Sequence, residues 1–269
     1  MPDVSESPDL LCLLAMPRTG SSYVSDLFDA HPQFQSHTEL FHREAVFLRV
    51  ADRSALLPDL TRLARTRSAD IYDPALVAWA RKSPRTLLDF LSERREKRFL
   101  TFKVFPRHLS DEQLDSVLFD APRIAGLLLE RDPLASYVSQ LKARRTREFS
   151  HRDTSHLTVD ADAREFVEFV ATRARWYERC RRSLAARGKP VVTLAYETLA
   201  SVSEAEALAM LVAAARSIGL SGVVDASLGE ARLRPKQDRR APHESIAEWT
   251  TFAAEVTERG LGDLLPVGI

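Results

Sequence analysis

Residues 10–23, LLCLLAMPRTGSSY, constrain the fold of this chain more than any other stretch. Leu10 to Ala15 is an unbroken apolar run of the length of a fully buried strand. From Met16 the character changes to a Pro, a Gly and three hydroxyl-bearing residues. Val24, Leu27 and Phe28 then recur at helical spacing. A strand, a turn of small residues and a helix place unpaired backbone N–H groups and a partial positive charge at one point. Such a helix start binds phosphate, so residues 16–23 read as a nucleotide-phosphate cradle.

The cradle is not a Walker A loop, which needs Gly-Lys-Ser/Thr at its end. Here Gly20 is followed by Ser21 and Ser22, and the nearby cation is Arg18. Nor does a Walker B carboxylate close a later strand, since Glu130 and Asp132 flank an arginine. A site without that lysine and without a magnesium ligand is poorly equipped to split a triphosphate.

The rest of the chain alternates strands with helices. Strands are expected at 99–105, 123–130 and 189–195. Helices are expected at 111–119, from Asp132-Pro133 to about 147, at 161–187 and at 203–218, with a last one from Ser245 that contains Trp249. Residues 44–97 carry helical patterning, with breaks expected at Pro58, Pro74 and Pro84. This alternation predicts an α/β fold: three P-loop-like layers, a central, mainly parallel sheet and helices on both faces. At 269 residues, 45% hydrophobic and 28% charged, one domain over 1–269 is expected. Residues 1–9 are expected to be disordered and 147–160 to form a mobile loop.

Composition excludes several classes. The formal net charge is zero, so there is no global argument for nucleic acid or a membrane surface. No apolar run is long enough to span a bilayer. Two cysteines do not make a disulfide framework. With no basic leader at the amino terminus, a soluble cytoplasmic protein is expected. No metal-ligand spacing occurs, so no metal is expected.

Four separated pieces, in order along the chain, resemble the sulfotransferase superfamily that uses 3′-phosphoadenosine-5′-phosphosulfate (PAPS). They are PRTGSSY (17–23), RDPLASYVS (131–139), TLAYETL (193–199) and QDRRAPHESIAEW (237–249). The resemblance implies PAPS as donor, 3′,5′-bisphosphoadenosine (PAP) as product and in-line sulfuryl transfer to a hydroxyl. It implies donor contacts from Arg18, Thr19, Gly20, Ser21, Ser22 and Tyr23 at the 5′ end. Arg131 and Ser139, with Arg239 or Arg240, would hold the 3′-phosphate, Tyr196 the adenine, and Gln237 would be a further donor contact. From the residues alone, Arg131 also reads as a surface arginine paired with Asp132 or Glu130, and Tyr196 as a core aromatic.

Cytosolic members carry a histidine base after a Lys-Thr pair; here Lys103-Val104-Phe105 puts a phenylalanine there. Bacterial carbohydrate-type members of the trehalose and nodulation-factor kind match better. They place a glutamate base in Glu-x-Phe, as in Glu39-Leu40-Phe41. Glu39 is thus the expected general base, with His37 and His42 as second choices. Arg18 is the expected neutraliser of the leaving 5′-phosphate, and Lys103 a further candidate cation. The expected acceptor is a sugar or small metabolite, and residues 44–97 suit an acceptor wall or a homodimer contact. Two rivals stay open: a P-loop kinase or NTPase, and a nucleotide-binding scaffold without turnover.

Overall fold

The computed structural model describes residues 7–67, 70–146, 153–227 and 240–266. Five parallel strands make one sheet in the order β2-β3-β1-β4-β5: β1 (Leu10–Ala15), β2 (Phe34–Ser36), β3 (Phe99–Val104), β4 (Ile124–Glu130) and β5 (Val192–Ala195). β1 is central because it has to be. Leu10, Cys12 and Leu14 face one core, and Leu11, Leu13 and Ala15 the other. A strand buried on both faces reads as a continuous apolar run rather than an alternating one.

On the Leu11 face lie α1 (Ser21–Ala30) and α9 (Glu204–Ser217), through Val24, Leu27, Phe28, Leu208, Leu211 and Val212. On the Leu10 face lie α2 (Arg53–Ala64), α3 (Pro74–Lys82), α4 (Pro84–Glu93) and α7 (Ala163–Ala186). With them packs α5 (Asp111–Gln113), which runs into a π-helical turn at Leu114–Phe119. Three layers result, as the alternation predicts. A third cluster joins α6 (Pro133–Thr146), α7 and α10 (Trp249–Glu258) through Tyr137, Phe166 and Phe252. Helix starts follow the local chemistry: Asp73, Asp162 and Ser203 cap α3, α7 and α9 with their side chains. The Asp132 carboxylate takes the Ala135 N–H at 2.7 Å, ahead of Pro133 at the first position of α6. No described helix is long and apolar enough to cross a membrane.

One expectation changes, and parts of two further segments make specific contacts. Pro58 does not break the chain; it lies inside α2, on the exposed side, while Leu56, Leu57 and Leu60 hold that helix to the core. The amino-terminal tail is ordered at Asp9, whose carboxylate takes Arg123 at 2.8 Å and Arg95 at 2.9 Å; residues 1–6 lie outside the described residues. Of the loop 147–160, residues 153–160 are tied down, and 147–152 lie outside the described residues. The reason is Lys142 on α6, 1% exposed, whose ammonium donates to Thr154 O at 3.1 Å and Ser245 Oγ at 2.8 Å. Val159 N then donates to Ser245 O, and Ala247 N to Val159 O, so the two segments pair. β2 is an addition, a three-residue edge strand too short to show a period.

β1 leads through α1 to β2 on one side, while β4 leads through α6 and α7 to β5 on the other. Such a parting of connections opens a crevice at the carboxyl ends of the two strands. Their register ends at Ala15↔Leu129. Just beyond it the Tyr177 hydroxyl, from α7, accepts from Met16 N at 3.2 Å and donates to Leu129 O at 2.6 Å. Burial pushes the Tyr177 phenol pKa up, so it stays protonated for both bonds. Tyr177→Phe leaves a buried N–H and a buried carbonyl without that partner. The expected loss is about 1–3 kcal/mol of unfolding free energy, read from urea denaturation.

Candidate active site

The turn after β1 is held open by its backbone. Arg18 has φ 68° and Gly20 φ 79°, both left-handed. Only glycine takes that conformation freely, and a non-glycine residue in it is a small store of strain. Thr19 is fully buried, and its hydroxyl donates to Met16 O at 2.8 Å, closing the turn on itself. Gly20 is also fixed by contact, since a Cβ there would lie 2.1 Å from Cδ2 of Tyr196. Gly20 is the N-cap of α1. No side chain caps that helix, and no acidic residue sits in its first turn. The amides of Ser21, Ser22 and Tyr23 thus begin a helix whose positive end is not neutralised by its own sequence.

Arg131 and Ser139 reach this turn from across the crevice. Arg131, just past β4, donates from Nη1 to Arg18 O at 2.9 Å. Its guanidinium lies 4.9 Å from the centre of the Tyr196 ring, and its Nε is buried without a hydrogen-bond partner among the described residues. Ser139, two turns along α6, accepts from Arg18 Nε at 3.1 Å. Tyr196 opens the short helix α8 (Tyr196–Ala200) and meets Tyr23 edge to face at 6.3 Å. Arg131 is itself braced by Arg173, whose Nη2 donates to Arg131 O at 2.5 Å. Burial and the neighbouring Arg131 lower the Arg18 pKa to about 10, partly offset by Glu39; the guanidinium stays charged at neutral pH.

Glu39 stands on the loop after β2. Thr38 O accepts from Lys103 N at 3.1 Å, which ties that loop to β3. Residues 99, 101 and 103 of β3 share the face turned to α1, where Phe99 packs. From there the Lys103 ammonium sits 3.3 Å from Glu39 Oε1 and 3.1 Å from Ser22 Oγ. His108 completes the group, with Nε2 at 3.6 Å from Glu39 Oε2. Its other nitrogen accepts from Phe105 N at 3.2 Å, so the neutral ring carries its proton on Nε2, toward Glu39. Burial lowers the His108 pKa against the pull of Glu39, which keeps the ring neutral. Burial alone would raise Glu39, but His108, Lys103 and His42 outweigh it and hold the carboxyl at about 2.

The sequence did not single out His108. It lies three residues beyond Phe105, which holds the place of the histidine in the cytosolic pattern. Arg107, at φ 69°, folds the chain back so that the ring returns to Glu39. The histidines that were singled out are placed differently. His37 is buried, accepts Arg49 N on Nδ1 at 2.9 Å, and burial lowers its pKa to about 4. His42 is half-buried, its ring 5.9 Å from that of His108. Arg240 donates to Leu157 O and is thereby anchored to the segment under the Lys142 clasp. Gln237 and Arg239 lie outside the described residues. The described residues hold no cluster of three or more His, Cys, Asp or Glu side chains able to bind a metal.

The arrangement thus offers an anion station, made by the end of α1 with Arg18, Arg131 and Ser139, beside a carboxylate station at Glu39. Against known proteins, residues 11–214 match the model of the sulfotransferase family. The sulfotransferase domain of the Synechococcus PCC 7002 olefin synthase superposes with a TM-score of 0.51 at 16% identity, over 100% of this chain and 99% of that one. The sulfotransferase STF1 from Mycobacterium tuberculosis H37Rv gives a TM-score of 0.41 at 14% identity, over 81% of this chain and 69% of that one. No curated protein sequence matches significantly. The family match spans most of the chain and contains both stations, and on it this chain belongs to the sulfotransferase family.

Proposed function

We propose that the chain transfers the sulfuryl group of PAPS to a hydroxyl of a sugar or small metabolite, with Glu39 as general base. The observation that carries this reading is the convergence of Arg18, Arg131 and Ser139 on the uncapped end of α1, one ammonium away from a half-buried carboxylate. The residues suit a nucleotide with a phosphate at each end. The end of α1 lacks a cap, Arg131 Nε is a buried donor with no hydrogen-bond partner among the described residues, the Glu197 carboxylate standing off at 3.9 Å, and the Tyr196 ring lies between them.

The division of labour follows from position. The amides of α1, the Ser21 and Ser22 hydroxyls and Arg18 receive the 5′ end and the charge that grows on it. Such donors, already aimed at that charge, need no reorganisation at the moment of transfer. Arg131 and Ser139, with Arg239 or Arg240, take the 3′-phosphate. Arg forms paired bonds to a phosphate and Ser adds a neutral one. Glu39 takes the acceptor proton. The O–H bond breaks to the carboxylate, the acceptor oxygen bonds to sulfur, and the bond from sulfur to the 5′-phosphate oxygen breaks. PAP leaves with that electron pair. His108 presents its N–H to the second carboxylate oxygen and fixes which oxygen faces the acceptor.

The test is release of PAP from PAPS with a panel of hydroxyl acceptors. Glu39→Gln is expected to lower turnover by about 10²–10⁴-fold. Arg131→Ala is expected to weaken PAP binding by about 10- to 100-fold in calorimetry. Magnesium-dependent ATP hydrolysis with no affinity for PAP would overturn the reading.

Stability carries a pH signature of the same carboxylate. Its folded pKa of about 2 lies below the ordinary 4.5, so the contribution is full above the ordinary value and is lost as pH falls through the folded one. The difference in unfolding free energy between wild type and Glu39→Gln should be level from about pH 8 to about pH 5 and change steadily below that, as urea melts at each pH would show.

A further inference from the structure

Lys103 has partners on both sides of the reaction. Its side chain is 4% exposed. Its ammonium touches Glu39 Oε1 at 3.3 Å, Ser22 Oγ at 3.1 Å and Ser21 Oγ at 3.5 Å. The backbone of β3 is pinned in the sheet, but the four-carbon stem ends in three rotatable donors, so the charge can change partner without any strand moving. A buried charge needs a counter-charge, and in the free chain the carboxylate is near enough to supply it. The other charged or titratable groups around Glu39 are His108 from the turn after β3, His42 from its own loop and Arg18 from the cradle. Among the described residues, Lys103 is the one whose ammonium contacts both the carboxylate and the hydroxyls of the first turn of α1.

We infer that Lys103 is a cation shared between base and donor: it masks the Glu39 carboxylate until an anion reaches the first turn of α1, then turns to that anion and frees the carboxylate for the acceptor proton. The inference rests on the donor station proposed above and adds an order of events to it. Without donor, the carboxylate is neutralised and a poor proton acceptor. With donor, the same ammonium is spent on the 5′ end, where negative charge grows during transfer. Acceptor activation is thereby tied to the presence of something to transfer. The low pKa of Glu39 in the free chain agrees, since Lys103 is among the groups that hold it down.

The experiment follows the Glu39 carboxyl carbon by NMR in the full chain labelled with ¹³Cδ-glutamate, the signal being assigned by its loss in Glu39→Gln. Titrations are run on the free chain and at saturating PAP, with binding checked by calorimetry. In the free chain the signal should stay flat down to about pH 4, and PAP should move its midpoint up by about one to two pH units. In Lys103→Met, which removes the charge and keeps the length of the stem, the midpoint should already be raised in the free chain. PAP should then move it by less than in wild type, the remainder being the direct effect of the bound phosphate. Saturating PAP with no upward movement in wild type overturns the inference. So does an equal PAP-induced movement in Lys103→Met. An unmoved midpoint in wild type overturns it even if the variant folds poorly. Absence of PAP binding to wild type would instead strike the donor reading itself, and is told apart because calorimetry reports it directly.

Discussion

The site exists because β1 and β4 separate, and the hydroxyl that holds them at the point of separation is that of Tyr177. Backbone groups at the last rung of a parallel ladder must find partners or face water. Here one phenol serves both strands, donating to one and accepting from the other. This lets the chain leave β1 as a tight turn and leave β4 as a run into Arg131, instead of continuing the sheet. Every side chain of the anion station sits within a few residues of that point or reaches it from α6. The crevice is thus a property of topology, and its chemistry is laid on afterwards.

What is laid on is an electrostatic imbalance held on both sides. Burial of Arg18, with Arg131 beside it, disfavours the Arg18 charge. Glu39 offsets part of this from one side, and Glu197 lies 3.9 Å from Arg131 Nε on the other. A ligand with negative charge at both ends would relieve the repulsion, whereas a neutral one would not. The same crowding explains why a glutamate can persist, largely buried, so near the end of a helix. It is surrounded by Lys103 and by the N–H of His108, and its desolvation is thereby compensated.

Much of this was legible in the sequence, for reasons that differ by residue. The apolar run of β1 and its glycine turn announce themselves because a doubly buried strand and a left-handed turn each demand narrow residue types. Arg131 was legible through its place at a strand end, before an Asp-Pro helix start. Glu39 was legible as a neighbour of the cradle through its short loop after the first helix, but its role was reached only by resemblance, since a loop glutamate has no local signature. His108 was missed because its place depends on the left-handed turn at Arg107, a conformation that no pattern around an arginine reveals. Pro58 misled because a proline penalises a helix only as far as packing fails to repay it, and three leucines repay it here. Lys142 showed nothing in advance, for its burial is decided by segments distant along the chain.

That last residue makes one unit of two stretches far apart in the sequence. Thr154 and Ser245 share a single ammonium, Val159 threads its amide and carbonyl into the later stretch, and Arg240 grips Leu157. Neither can detach alone without taking a partner from a buried ammonium. Their amide protons should therefore exchange with solvent together, as one cooperative opening unit, although some eighty positions of chain separate them.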